Sequence, residues 1–134
     1  MPNSLDVRKI IDGERSAVFA ITILGDGTGD YSSELMIDVS TLEPNHRGVP
    51  CSEVSIMKMS GFCINFFANL LWDGNTDALS LGFNFYSDFS YDFQRVGGLV
   101  NPKPAGFTGD IMITTNSLGA AETGFIYLEV VKKY

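Results

Sequence analysis

The chain has 134 residues, near the commonest size for one folded domain, and 45% of them are hydrophobic, enough to fill a core and to exclude global disorder. Its 16 acidic residues outnumber its 9 basic ones, for a formal net charge of −7. Basic residues never run beyond two, at Arg8-Lys9 and Lys132-Lys133, so the chain repels phosphate backbones and no nucleic acid is expected as a partner.

The first residues, Met1-Pro2-Asn3-Ser4-Leu5-Asp6, lack the basic and apolar regions of a secretory signal. The longest apolar stretches, residues 17–24 and 66–72, fall far short of the ~20 residues that a membrane helix needs. A soluble chain made in the cytoplasm, with no membrane partner, is the expectation.

The dominant period along the chain is two. Residues 7–11 lead into Asp12-Gly13, a turn dipeptide, and residues 16–24 return as a strand, so an opening hairpin is predicted. Residues 16–24 are apolar or small in both phases, which predicts burial on both faces. Three glycines in residues 25–30 break the strand. Residues 34–39 alternate again, and residues 41–51, with Pro44, Gly48 and Pro50, form a surface loop.

Residues 53–60 alternate well. Residues 64–72 are the most apolar and are read as a strand, because Asp73-Gly74-Asn75-Thr76-Asp77 follows as a hairpin loop before the alternating residues 78–86. Residues 87–95 are rich in aromatics and Asp, and residues 96–106 form a long Gly/Pro loop holding Pro102 and Pro104. Strands at 110–115 and 125–131 flank a loop at 116–124. Eight or nine strands separated by Gly, Pro, Asn and Asp turns predict a single all-β domain over residues 1–134. The expected form is an antiparallel two-sheet β-sandwich, jelly-roll-like, with a small β-barrel second.

Nothing in the sequence assembles a catalytic, cofactor or metal site. The lone His46 lies in a polar loop, and Cys51 supplies only loop proximity for a Cys–His pair. Cys51 and Cys63 are too few for a disulfide scaffold and are read as free thiols, Cys63 buried and Cys51 in a loop. Asp12, Asp26, Asp30, Asp73, Asp77 and Asp110 could suggest paired carboxylates for glycoside cleavage or pieces of a calcium loop. Bonding of Asp to nearby backbone amides in turns is sufficient to explain all six. Trp72 and the tyrosines could stack on sugar, but a lone Trp at a strand end is read as core or rim. Phe83, Phe85, Tyr86, Phe89, Tyr91 and Phe93 are more aromatic residues than one sheet layer buries, so either a generous core or a partner covers them.

Three stretches are familiar together. They are Arg8-Lys9-Ile10-Ile11-Asp12-Gly13-Glu14-Arg15 followed by Gly25-Asp26-Gly27-Thr28-Gly29-Asp30; Leu70-Leu71-Trp72-Asp73; and Thr108-Gly109-Asp110-Ile111 through Leu128-Glu129-Val130-Val131-Lys132-Lys133-Tyr134. In this order and spacing the chain resembles small virion structural proteins of tailed bacteriophages. The resemblance implies an architectural role in the virion, as a capsid decoration or cement protein or as a neck, tail or fibre component. It brings no catalytic residue and no cofactor. The implied partners are the major capsid protein, other virion proteins and further copies of this chain. The expected contact surfaces are the N-terminal segment and the loops at 41–51 and 96–107.

Overall fold

The computed structural model describes residues 3–75, 78–83, 88–103 and 105–134, with side chains described throughout except at 78–83 and 88–89. Nine strands are found among the described residues: β1 (Ser4–Asp12), β2 (Ser16–Leu24), β3 (Glu34–Ile37), β4 (Glu53–Cys63), β5 (Phe67–Trp72), β6 (Ala78–Phe83), β7 (Asp88–Asp92), β8 (Ile111–Asn116) and β9 (Thr123–Lys133). They form a five-stranded sheet in the order β1-β2-β9-β4-β7 and a four-stranded sheet in the order β3-β8-β5-β6.

The pairs β2·β9, β3·β8, β4·β7 and β5·β6 are all antiparallel. From β2 to β9 the chain is thus one long two-stranded ribbon. Rolling it up joins β9 to β4 and β8 to β5, which gives the jelly-roll order in two separate sheets rather than a barrel. β1 adds one strand at the edge of the larger sheet.

Period-two burial fills the space between the sheets. Along β9, Ile126, Leu128 and Val130 are buried while their neighbours are half-buried. Ile21, Ile23, Ile56, Met59 and Phe66 meet Leu70, Trp72, Ile111 and Ile113 in one cluster. Each large apolar side chain taken fully out of water contributes about 1.5–3 kcal/mol.

The opening hairpin forms as expected, with the Gly13 N–H donating to the Ser16 carbonyl at 2.9 Å. β2, however, is buried on both faces only in its first part, around Ala17–Phe19. Ala17, Phe19, Ile21 and Ile23 point into the core, whereas Thr22 and Leu24 are exposed, because nothing described packs over the outer side of the larger sheet there. β3 stops at Ile37, where the Asp38 side chain accepts from the Ser40 N–H and starts a 3-10 turn at Val39–Thr41. β4 runs past Ser60 to Cys63. Gly61 makes this continuation fit, since a Cβ there would stand 1.9 Å from the Phe125 carbonyl oxygen. β5 begins at Phe67 rather than at residue 64, because Asn65 takes a left-handed conformation (φ 62°) and turns the chain from one sheet to the other. β7 comes from the aromatic and Asp-rich segment to which the sequence assigned no strand. The predicted strand at 78–86 is β6 as far as Phe83, and residues 84–86 lie outside the described residues, as do Thr76 and Asp77 of the hairpin loop.

Candidate functional site

The sandwich has two loop-bearing ends, and the sequence-predicted contact segments divide between them. The end formed by the finish of β1, β5 and β9 and the start of β4 and β8 carries the Asp12–Gly13 turn, residues 38–52, residues 101–110 and the C-terminal Tyr134. The loops at 41–51 and 96–107 therefore meet at this end. The N-terminal segment lies at the opposite end, where Asn3 donates to the Gly29 carbonyl at 2.7 Å and accepts from the Asp26 N–H at 2.9 Å.

Lys132 locks the first of these loops. Its side chain is wholly buried. Its ammonium is paired with Asp12 Oδ1 and donates to the carbonyls of Gly13 at 2.5 Å and Glu43 at 3.1 Å. Asp12 Oδ2 also accepts from the Glu43 N–H at 3.1 Å. Burial alone would raise the pKa of Asp12, but Lys132, the Glu43 amide and Lys9 outweigh it and hold the carboxyl below the usual range. Around this centre the exposed His46 Nδ1 sits 2.5 Å from Glu14 Oε1, its own N–H donates to the same oxygen at 3.1 Å, and the Tyr134 hydroxyl donates to the Glu14 carbonyl. Glu14 is held below the ordinary glutamate range by its bonds to His46.

Glu53 holds the second loop. It is buried, with Oε1 3.7 Å from Lys103 Nζ and 3.8 Å from Lys133 Nζ. Leu99 adds a backbone bridge to Ile56, with bonds of 3.0 and 2.8 Å. A third tie holds the ends of β3, β5 and β8 together within the smaller sheet. Asp110 Oδ1 accepts from the Val39 N–H at 2.9 Å, and Asp73 accepts from the Thr108 hydroxyl at 2.6 Å. Burial raises the pKa of Asp110, and the charges of Asp38 and Asp73 add to that, against the lowering bonds from Val39 and Thr108.

Asp12, Asp30, Asp73 and Asp110 thus do more than close local turns. Asp26 fits the local reading through its bonds to the Thr28 N–H and hydroxyl. Asp30 reaches across to the N–H groups of Ser117 and Leu118 and the Thr115 hydroxyl. Asp12 pairs with Lys132, 120 positions away, Asp110 binds Val39 at the end of the neighbouring strand β3, and Asp77 lies outside the described residues. Among the described residues no group of His, Cys, Asp and Glu has the arrangement of a metal site.

His46 and Cys51 form no dyad. His46 faces Glu14, and Cys51 is buried rather than a surface loop thiol, with Sγ donating to the Glu53 carbonyl at 3.2 Å. Both cysteines are free. Trp72 is core at 1% exposure and offers no platform for sugar. Of the aromatic cluster, Tyr91 and Phe93 stack with centroids 6.0 Å apart against the core, while Phe85 and Tyr86 and the side chains of Phe83 and Phe89 lie outside the described residues.

The sequence reading missed Lys132, which it took only as half of a basic pair. The inner phase of β9, Ile126, Leu128 and Val130, continues to Lys132, so strict alternation would have placed it inside. Also missed was an open groove of about 760 Å³ between the two edge strands β1 and β3, lined by Leu5, Val7, Phe19, Tyr31 and Met36.

The fold is a jelly-roll β-sandwich with one end whose loops are tied down by side-chain bonds. No protein-family model matches the sequence, and no curated protein matches it. A solved structure that the chain is similar to is a cupin domain from Bordetella pertussis Tohama I, at a TM-score of 0.35 and 12% identity, over 100% of this chain and 98% of that one. A likeness at that level carries no argument about chemistry.

Proposed function

We propose that this chain is a structural protein of a bacteriophage virion, a capsid decoration or cement protein that stabilises the head shell by binding the major capsid protein as a homo-oligomer. One observation carries the reading. Of the stretches that bear the sequence resemblance, Arg8–Arg15, Leu70–Asp73, Thr108–Ile111 and Leu128–Tyr134 converge on one end of the sandwich, beside its two long loops, while Gly25–Asp30 lies at the other end. Asp12 pairs with Lys132, Asp73 is bonded to Thr108, and Tyr134 is bonded to Glu14.

A surface held rigid before binding loses little entropy when it docks. That end exposes Val49, Phe107 and Tyr134 among polar groups, as a contact surface does. Cement action needs no catalytic step: bound only to the assembled shell, the protein shifts the assembly equilibrium by mass action. Among the described residues no helix is long and apolar enough to cross a membrane.

The test compares phage particles with and without this protein under heat and pressure. Particles lacking it are expected to lose their genomes at lower temperature, and equal resistance would refute the cement role. Mass spectrometry of separated heads and tails distinguishes a head location from the alternative of a neck, tail or fibre component.

A further inference from the structure

Among the described edges of the two sheets, β1 stands apart. β3 has four residues, β7 five and β6 six, whereas β1 has nine. Proteins usually shorten or cover such edges, because a long open edge offers its free N–H and C=O groups to another strand. No described residue pairs with the outer edge of β1. The strand is regular from Ser4 to Lys9 and is interrupted by a bulge only before Ile11.

Its outward side chains carry a sign pattern. Asp6 and Arg8 are both exposed and lie on the outer face, where their cross-strand neighbours on β2 are the uncharged Thr22 and Ala20. We propose that β1 pairs antiparallel with β1 of a second copy of this chain, about a two-fold axis at Val7, joining two five-stranded sheets into one continuous sheet.

Charge chooses the register. A two-fold pair that keeps outer faces together can be centred on Asp6, Val7 or Arg8. Centring on Asp6 sets two aspartates face to face, and centring on Arg8 sets two arginines face to face. Centring on Val7 sets Asp6 of each copy opposite Arg8 of the other, twice. Like charges directly opposite destabilise a sheet and unlike charges stabilise it. On the inner face the same register brings Val7 against Val7 of the second copy and lays Leu5 beside the stem of Lys9. The contact is isologous, so it closes as a dimer and uses the β1 edge of both copies. Charges on an edge can also serve to repel other chains, but that function calls for like signs, and here the signs alternate.

This inference deepens the oligomeric part of the proposed role, and its test needs only the purified full chain, so its failure would leave shell binding untouched. Sedimentation equilibrium up to high micromolar concentration is expected to show a reversible dimer. Asp6→Arg and Arg8→Asp, each alone, make the facing charges alike and are expected to weaken dimerisation about tenfold or more. Both substitutions in one chain restore it. Mixing the two single variants is expected to give a heterodimer, because one then carries two basic groups on the edge and the other two acidic groups. Unchanged melting temperatures exclude misfolding, since both sites are exposed. A wild-type chain that stays monomeric, single variants that dimerise as tightly as wild type, or a double variant that does not recover would each overturn the proposal.

Discussion

Replacing Lys132 with Met would leave Asp12 and the carbonyls of Gly13 and Glu43 without their shared cation inside the protein. Removing one member of a buried ion pair costs about 3–5 kcal/mol, far more than the pair contributes over an apolar replacement of both members. Lys132→Met is therefore expected to lower stability by about 3 kcal/mol in a denaturant titration, with Lys132→Met/Asp12→Asn recovering part of the loss. The same pair sets a pH dependence. The folded Asp12 carboxyl titrates below the usual range, so the unfolded chain takes up its proton first as pH falls. Its contribution is complete above the ordinary aspartate pKa and is lost as pH drops through the depressed folded value. Stability measured across the acid range should fall less steeply in the Lys132→Met chain, and an unchanged slope would show that Asp12 does not depend on Lys132.

At the scale of strands, Gly61 decides how far β4 runs. Its φ of 151° and the Phe125 carbonyl 1.9 Å from where a Cβ would stand leave no room for a side chain. Gly61→Ala is expected to destabilise the protein by about 2 kcal/mol or more. The loss should be visible as faster amide exchange where the end of β4 pairs with β9, around Phe125 and Ile126. Protection as strong as in the wild type would mean that the two strands absorb the clash without parting. Phe62, beside this glycine, stacks on Phe125 at a centroid distance of 6.4 Å, so the end of β4 is also held from the outer face. Gly61 and the left-handed Asn65 explain why both boundaries near residues 60–67 were misplaced from the sequence. A glycine and an asparagine read as breakers, and only the neighbouring strands show that one continues a strand while the other ends the crossing.

Over the whole molecule, the two thiols report on the integrity of the core. Both are buried, and burial pushes their pKa values up, that of Cys63 to about 11. A disulfide-type thiol reagent at mildly alkaline pH is expected to label neither cysteine in the native protein and both once denaturant unfolds it, since the thiolate is the reactive form. The labelling rate should follow global unfolding, and rapid labelling of Cys63 in native conditions would show that the sheets open locally at the end of β4.

The fold class was legible from end to end. Alternation and the Gly, Pro, Asn and Asp turns are local properties, and they placed most of the strands and the opening hairpin within a few residues. The candidate site was legible only as a set of loops. The two loops that meet at one end, and the N-terminal segment that does not, could be named from composition, but their grouping could not, because it follows from the order in which the ribbon rolls up. The residues that fix the loops were hidden for the same reason. Asp12 and Lys132 are 120 positions apart, and Val39 and Asp110 are 71 apart. The sequence by itself determined that this chain makes strands, where it turns, and that its bulk is apolar enough for one core. Only the tertiary structure decided which charge is buried, which face of β2 stays open and which edge is left unpaired. Those outcomes depend on non-local pairings, and a local pattern carries no record of its distant partner.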